Sequence, residues 1–318
     1  MNPQDPHRSH DPSPAARALG LPAGRWADVR GPVHYLEWEG PAGGPTFVLV
    51  HGLGGSHLNW VLVAPGLARH GRVLAPDLVG HGHTPVAGRR ASIAGQWRLL
   101  DGFLRAMDLP PVVLVGNSMG GMLALIEAAH APEAVDRLVL TNAAFPRPPR
   151  WAGRLSLRIA AGFLISGSSL LGPEAMSFWE RRLGPDGMLR ETFETIAADP
   201  RAIDPAVVAL EADLLAARIG SREAELAVST ATRSIVRAHL RPWRYRELVR
   251  RVGTPALVLH GGVDRLVPRV VAELAVQGHE DWSLEVYPDL GHVPQLEAPD
   301  RWLGSVSAWL ATAGRARG

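Results

Sequence analysis

The chain has 318 residues, of which 46% are hydrophobic and 20% charged, a composition typical of soluble globular proteins. All 33 basic residues are arginine and 31 acidic residues balance them, which argues against the basic surface of a nucleic-acid-binding protein. The absence of cysteine excludes disulfides, thiolate nucleophiles and cysteine-based metal sites. No apolar run is long enough to predict a membrane-spanning helix.

The first 20 residues are polar and rich in proline, and they lack the apolar centre of a secretion signal. We therefore expect residues 1–20 to form a disordered tail. The same feature predicts a cytoplasmic protein.

Short apolar runs alternate with helix-length segments through the first half of the chain. Residues 26–39 predict two short strands around Gly31 and Pro32. Continuous apolar runs then occur at residues 46–50, 72–77, 111–116 and 137–142. Such runs are typical of strands buried on both faces, and their alternation with helices predicts a parallel sheet covered by helices on both sides.

This alternation stops after residue 142 and resumes with strand-like runs at residues 254–261 and 282–288, followed by a closing helix at about 297–313. Residues 145–243 contain only amphipathic, helix-like segments separated by turn signals. We therefore predict a core domain made of residues 21–144 and 244–318. A helical cap, residues 145–243, is inserted into it.

A single serine stands among small residues where the third apolar run should turn into a helix. Gly116-Asn117-Ser118-Met119-Gly120 matches the G-x-S-x-G turn that raises a nucleophilic serine above a sheet. The residues two before and two after the serine crowd one another in such a turn, so only glycine fits there. A serine-capped, glycine-rich helix start is the structural alternative.

A glycine-rich loop, "HGLGGSHLNW", follows the run at residues 46–50. Its position predicts an oxyanion hole formed by the backbone N–H groups of Leu53 and Met119. We expect His51 and His57, in the same loop, to have structural or pocket roles. The histidines of "GHGHT" lack clustered acids and a spaced third ligand, so no metal site is predicted.

The acid and base of a serine nucleophile should follow it in the order carboxylate then histidine, each just beyond a strand. Asp264 and His292 stand at such positions and are the predicted pair. Asp289 is too close in sequence to His292 to be its partner. His279 precedes the last strand instead of following it.

From about residue 26 to residue 310 the chain resembles the α/β-hydrolase superfamily. The resemblance rests on the serine turn, the glycine loop, "APDLVGHGHT", "HGGVDRLVP" and "GHVPQLEAP". It implies an eight-stranded, mostly parallel sheet with a lid after the sixth strand. It also implies hydrolysis of carboxylic esters through an acyl-enzyme, with Ser118 as nucleophile and no metal or organic cofactor.

Other chemistries on the same fold stay open. Dehalogenases and epoxide hydrolases resemble this chain but use an aspartate where it has Ser118, so the serine disfavours those two activities. Serine-dependent C–C bond hydrolases share the string "GNSMGG" but differ in their glycine loop and usually carry tryptophan at the position of Val293. Cofactor-free perhydrolases and non-enzymatic small-molecule receptors are further alternatives.

Substrate selection is expected in the cap, whose most apolar part is residues 151–171. The predicted partner is a small hydrophobic ester. No membrane association is predicted, because that segment contains only two arginines and no polybasic cluster flanks them. Homo-oligomerisation is left open. The predicted pocket residues are Trp60 and Met122 near the serine, and Leu155, Ile159, Phe163 and Leu164 in the cap, with ordinary packing as the alternative for all of them.

Overall fold

The computed structural model describes residues 13–146, 157–168 and 171–315. Its strands form one eight-stranded sheet in the order β1-β2-β4-β3-β5-β6-β7-β8. The strands are β1 (Arg25–Asp28), β2 (Pro32–Trp38), β3 (Phe47–Val50), β4 (Val73–Pro76), β5 (Val112–Asn117), β6 (Val135–Thr141), β7 (Ala256–Gly261) and β8 (Trp282–Tyr287). The β1–β2 and β2–β4 pairs are antiparallel, and the other pairs are parallel. The predicted mostly parallel sheet is therefore confirmed.

Helices cover both faces of this sheet. Those outside the β6–β7 connection are α1 (Pro14–Ala18), α2 (Ala64–Ala68), α3 (Ile93–Ala106), α4 (Met119–His130), α10 (Arg269–Val276), α11 (Pro294–Glu297) and α12 (Pro299–Arg315). Every residue of β3 is buried, and successive residues along the strand face opposite sides of the sheet. Val48 joins the cluster that contains Phe103 of α3, whereas Phe47 joins the cluster that contains Trp302 of α12. Burial on both faces explains why the central strands are continuously apolar.

The connection between β6 and β7 contains helices and no strand among its described residues. The helices are α5 (Leu157–Ser166), α6 (Gly172–Ile196), α7 (Pro205–Ala216), α8 (Arg222–Leu240) and α9 (Pro242–Arg250). Helix α6 bends at Gly184, whose φ of 65° is not helical and which precedes Pro185. None of the described helices has an apolar stretch long enough to cross a bilayer.

The structure does not test the boundaries predicted for the cap, residues 145 and 243. Two residues near these boundaries pack against the core. Phe145, the first residue assigned to the cap, is buried and its ring centroid lies 6.2 Å from that of Trp282. Helix α9 begins before the predicted limit at residue 243. Its Tyr245 belongs to the same core cluster as Phe103 of α3.

One sequence expectation is wrong at the N-terminus. Residues 13–18, assigned to a disordered tail, form a capped helix in which Ser13 Oγ accepts a hydrogen bond from the Ala16 N–H at 3.2 Å. A serine followed by proline is a helix-start signal, and the high proline content of the tail obscured it. Helix α1 packs against α7. Residues 1–12 lie outside the described part of the chain.

Candidate active site

Ser118 occupies the sharp turn between β5 and α4. Its φ of 54° and ψ of −115° are unusual for a residue with a side chain and cost about 1–3 kcal/mol. The surrounding backbone fixes this conformation: the Ser118 N–H donates to the Thr141 carbonyl at 3.1 Å, and the Ala144 N–H donates to the Ser118 carbonyl at 3.0 Å. Hydrogen bonds to the end of β6 and to the residues after it therefore stabilise the strained conformation of Ser118.

The glycines on either side of Ser118 are required by close backbone contacts. A Cβ on Gly116 would lie 2.5 Å from the backbone of Gly120. A Cβ on Gly120 would lie only 2.0 Å from the Val50 carbonyl oxygen at the end of β3. These distances confirm the predicted crowding across the turn and rule out any side chain at Gly120.

The loop after β3 lies directly against the serine. A Cβ on Gly52 would lie 3.2 Å from the Ser118 Cβ. The Met119 N–H, at the first position of α4, has no acceptor within the helix. Within the described residues, the Leu53 N–H has no acceptor either. The two N–H groups are thus available for an oxyanion, and their catalytic role stays a prediction.

His51 holds this loop in place. Its Nδ1 lies 2.7 Å from the Gly52 carbonyl oxygen, and its Nε2 accepts a hydrogen bond from the Leu78 N–H at 3.0 Å. Burial lowers the pKa of His51 to about 4, so the ring is neutral at pH 7, with its proton on Nδ1. These contacts agree with the structural role expected for His51.

Asp264 and His292 form a hydrogen-bonded pair at the carboxyl ends of β7 and β8. Nδ1 of His292 lies 2.7 Å from Oδ2 of Asp264, and both side chains are buried. Oδ1 of Asp264 accepts hydrogen bonds from the Leu266 and Val267 N–H groups at 2.7 and 3.1 Å. Burial alone would raise the pKa of Asp264, but the charge and hydrogen bond of His292 outweigh it and hold the pKa below its ordinary value. The pair leaves Nε2 of His292 as the nitrogen that can act on a nucleophile.

Asn117 joins the serine turn to the histidine loop. Its side-chain Nδ2 donates to the His292 carbonyl at 3.1 Å and to the Thr141 carbonyl at 3.1 Å. Within the described residues, the Ser118 hydroxyl and His292 share no hydrogen bond. In unliganded enzymes this bond often forms only when substrate is bound. The structure therefore brings the two loops together, and direct contact between the predicted nucleophile and base stays a prediction.

Comparison with known proteins agrees with this arrangement. Residues 45–299 match a family model described as the alpha/beta hydrolase fold. The chain belongs to the α/β-hydrolase fold family. It is 31% identical over 274 residues to 2-hydroxy-6-oxo-2,4-heptadienoate hydrolase of Pseudomonas putida, covering 85% of this chain and 90% of that protein.

Two further similarities extend over most of the chain. The dihydrolipoyllysine-residue acetyltransferase component of an acetoin cleaving system from Pseudomonas putida is 32% identical over 291 residues, which are 88% of this chain and 67% of that protein. The crystal structure of a putative lipase from Acinetobacter baumannii has a TM-score of 0.76 and 21% identity, covering 95% of each chain. The structural match supports the fold alone.

The sequence interpretation of this α/β hydrolase missed Asn142. It is fully buried, follows β6 and has a φ of 46°. Its Nδ2 donates to Oδ2 of Asp264 at 2.6 Å, and its Oδ1 accepts from the Gly261 N–H at 3.2 Å. Asn142 therefore holds the predicted catalytic acid at the same carboxylate oxygen, Oδ2, that His292 contacts. The available signal was an asparagine directly after a buried strand, where a left-handed backbone favours asparagine.

Glu297 was also missed, and it connects the histidine loop of the hydrolase to the segment that follows α6. Its buried carboxylate accepts hydrogen bonds from the Ala198 N–H at 2.7 Å, the Gly291 N–H at 3.0 Å and the Val293 N–H at 3.3 Å. Burial raises the pKa of Glu297, although the three N–H groups favour its charged form. One carboxylate thus joins the residues on both sides of His292 to the segment that follows α6.

A second buried polar cluster of the hydrolase surrounds Asp77. Nδ1 of His34 and Nδ1 of His57 lie 2.8 and 3.0 Å from its carboxylate, and the backbone N–H groups of His57 and His83 also donate to it. Burial opposes ionisation, but His57 and His34 keep the pKa of Asp77 well below its ordinary value. His34, His57 and Asp77 are residue types that bind metals. Here the carboxylate is saturated by hydrogen bonds that join β2, the glycine loop and the loop after β4.

The rival acid and base lie elsewhere in the hydrolase. Asp289 is exposed and pairs with Arg301 at 2.7 Å. His279 stacks on Trp282, with ring centroids 3.8 Å apart, and its Nε2 lies 3.0 Å from the Val249 carbonyl oxygen. Both therefore have structural partners of their own.

The two residues predicted to line the pocket near Ser118 are buried in the core clusters. Trp60 is fully buried beside Trp302, with ring centroids 6.1 Å apart, and Met122 is buried in the cluster on the other face of the sheet. In the cap, Phe163 is half-buried and Leu164 is 64% exposed. Leu155 lies outside the described residues, as does the side chain of Ile159. A pocket role for these residues stays a prediction.

Proposed function

We propose that this α/β hydrolase cleaves carboxylic esters of small to medium hydrophobic substrates through an acyl-enzyme. The observation that carries the proposal is the Asp264–His292 pair, joined at 2.7 Å and attached through Asn117 to the strained turn that bears Ser118. A serine at such a turn needs a histidine base oriented by a carboxylate, and these residues supply both. The fold alone would not select this chemistry.

In the proposed reaction, Nε2 of His292 accepts the hydroxyl proton as Ser118 attacks the acyl carbon. The carboxylate of Asp264 orients the ring and stabilises the imidazolium. The N–H groups of Leu53 and Met119 receive the developing oxyanion. The same proton then passes to the departing alcohol, and a water deprotonated by His292 releases the acid and restores Ser118.

The test compares the wild-type protein with Ser118→Ala on p-nitrophenyl acetate and butyrate. We expect a burst of nitrophenol from the wild type and none from the variant. A fluorophosphonate label should map to Ser118, and it should be lost in the variant. Labelling at another residue, or hydrolysis that survives Ser118→Ala, would refute the assignment.

A second candidate is hydrolysis of a C–C bond in a ring-cleavage product. The observation that favours it is the 31% identity, across 90% of its length, to the 2-hydroxy-6-oxo-2,4-heptadienoate hydrolase. Such substrates absorb visible or near-ultraviolet light, so their cleavage is followed directly. A kcat/KM for a 2-hydroxy-6-oxo-dienoate well above that for every ester tested would replace the ester proposal with this one.

A further inference from the structure

The junction of α8 and α9 forms an exposed corner with two large apolar side chains. The helices break at Arg241, whose φ of −122° and ψ of 58° are not helical. Leu240 is 71% exposed and Trp243 is 60% exposed, although both would gain from burial. We call the exposed residues of this junction the corner patch. They are Arg237, Leu240, Arg241, Trp243 and Arg244.

The corner patch is strongly basic. Between Leu226 and Arg246 the chain has five arginines and neither aspartate nor glutamate. Three of these arginines belong to the corner patch, and none of the three forms an ion pair with a carboxylate of the described residues. Their positive charge is therefore not neutralised by the described part of the chain, whereas Arg250 in the same helix α9 pairs with Glu247 at 3.7 Å.

This combination fits an anionic lipid surface. A corner between two helices projects outward, so its apolar side chains can enter a flat interface. Tryptophan prefers the headgroup region, because its ring is apolar and its N–H is polar. Guanidinium groups bind phosphate oxygens, and basic residues beside an inserted apolar group strengthen binding to anionic bilayers.

We infer that the corner patch docks on the surface of a bilayer that contains anionic phospholipid. Leu240 and Trp243 enter the interface, while Arg237, Arg241 and Arg244 contact the headgroups. The inference does not depend on the proposed esterase activity. It revises the sequence expectation of no membrane association, which considered residues 151–171 and not this corner.

The test is sedimentation of the full-length protein with vesicles. We expect binding to vesicles of equal parts phosphatidylcholine and phosphatidylglycerol, little binding to phosphatidylcholine alone, and loss of binding at high salt. The variant Arg237→Gln/Arg241→Gln/Arg244→Gln should lose about tenfold or more of the affinity. The variant Leu240→Ser/Trp243→Ser should weaken binding without removing its dependence on charge.

A matched control is Arg181→Gln/Arg182→Gln, which removes two exposed arginines from α6, outside the corner patch. This control should bind almost as well as the wild type. Equal binding by the control and the triple variant, or no binding by the wild type, would overturn the inference. A concentration-dependent dimer that disappears in Leu240→Ser/Trp243→Ser would assign the corner to a second copy of the chain, which also overturns it. Circular dichroism of each variant establishes that it is folded.

Discussion

Replacement of Asn142 by glycine tests whether Asp264, the predicted catalytic acid, is held in place by the residue that follows β6. Glycine adopts the φ of 46° found at this position without strain, so Asn142→Gly removes the side chain and leaves the backbone conformation accessible. The change deletes the donor to Oδ2 of Asp264 at 2.6 Å and the acceptor of the Gly261 N–H. Asp264 then keeps only His292 at that oxygen.

The expected loss follows from the strength of this contact. A hydrogen bond to a charged group contributes about 1.5–3 kcal/mol, which corresponds to roughly 10- to 150-fold in rate if all of it acts in the transition state. The N–H groups of Leu266 and Val267 still hold the other oxygen of Asp264. We therefore expect a fall in kcat/KM near the lower limit, about tenfold.

The assay is kcat/KM for p-nitrophenyl butyrate, with urea denaturation measured on the same preparations. Asn142→Ala is the companion variant, because it removes the same amide but also places a side chain in the left-handed region. It should show the same kcat/KM and a lower free energy of unfolding, by about 1 kcal/mol. A folded Asn142→Gly protein with kcat/KM within twofold of wild type would refute the role assigned to Asn142.

Three further changes have expected outcomes. Burial raises the pKa of Glu127 to about 7, so its contribution to stability is present below about pH 4.5 and is lost as the pH rises through about 7. At about pH 8 the free energy of unfolding of Glu127→Gln, measured by urea denaturation, should therefore exceed that of the wild type by up to about 3 kcal/mol. Near pH 4 the two free energies should be equal. Glu297→Ala should lower kcat, and it should lower the free energy of unfolding by about 1–3 kcal/mol for each buried N–H left without an acceptor. Urea denaturation measures this loss, and Glu297→Gln should lie between the alanine variant and the wild type. Gly120→Ala should cost about 3 kcal/mol or more and abolish fluorophosphonate labelling, because its Cβ meets the Val50 carbonyl at 2.0 Å.

The changes at Glu127 and Gly120 each have a control elsewhere in the chain. Glu39→Gln removes an exposed acid just after β2, and it should leave the pH dependence of stability unchanged. Gly304→Ala places a methyl group on α12 where no atom other than the adjacent residues and backbone of that helix lies within 4 Å, and it should be neutral or slightly stabilising. Loss of labelling in Gly304→Ala would show that the assay reports general fragility and not the serine turn.

The sequence predicted those features that depend on local pattern. Strands buried on both faces must be apolar throughout, so β3, β5 and β7 are visible as continuous runs. The serine turn is visible because its backbone contacts exclude side chains at Gly116 and Gly120. The predicted acid and base were found from their positions just after strands.

The sequence could not predict contacts made between distant segments. Asn142 forms a hydrogen bond with Asp264, which is 122 residues away in the sequence, and another with the Gly291 carbonyl, which is 149 residues away. Asparagine is also common in turns after strands, so the residue type alone does not predict these two partners. The same holds for Glu297, whose carboxylate reaches 99 residues back along the chain to the Ala198 N–H.

Contacts around Asp264 and His292 also join both residues to the end of α6. Arg265, next to the acid, donates hydrogen bonds to the Glu194 and Ala197 carbonyls, and the His292 N–H donates to the Ile196 carbonyl at 2.6 Å. Both the acid loop and the base loop are therefore bonded to the C-terminal end of α6. A substrate that displaces this end of α6 must disturb the geometry of Asp264 and His292 as well. If Asp264 and His292 are the predicted acid and base, substitutions in the last turn of α6 should change kcat together with KM for p-nitrophenyl butyrate, because both loops are bonded to that turn.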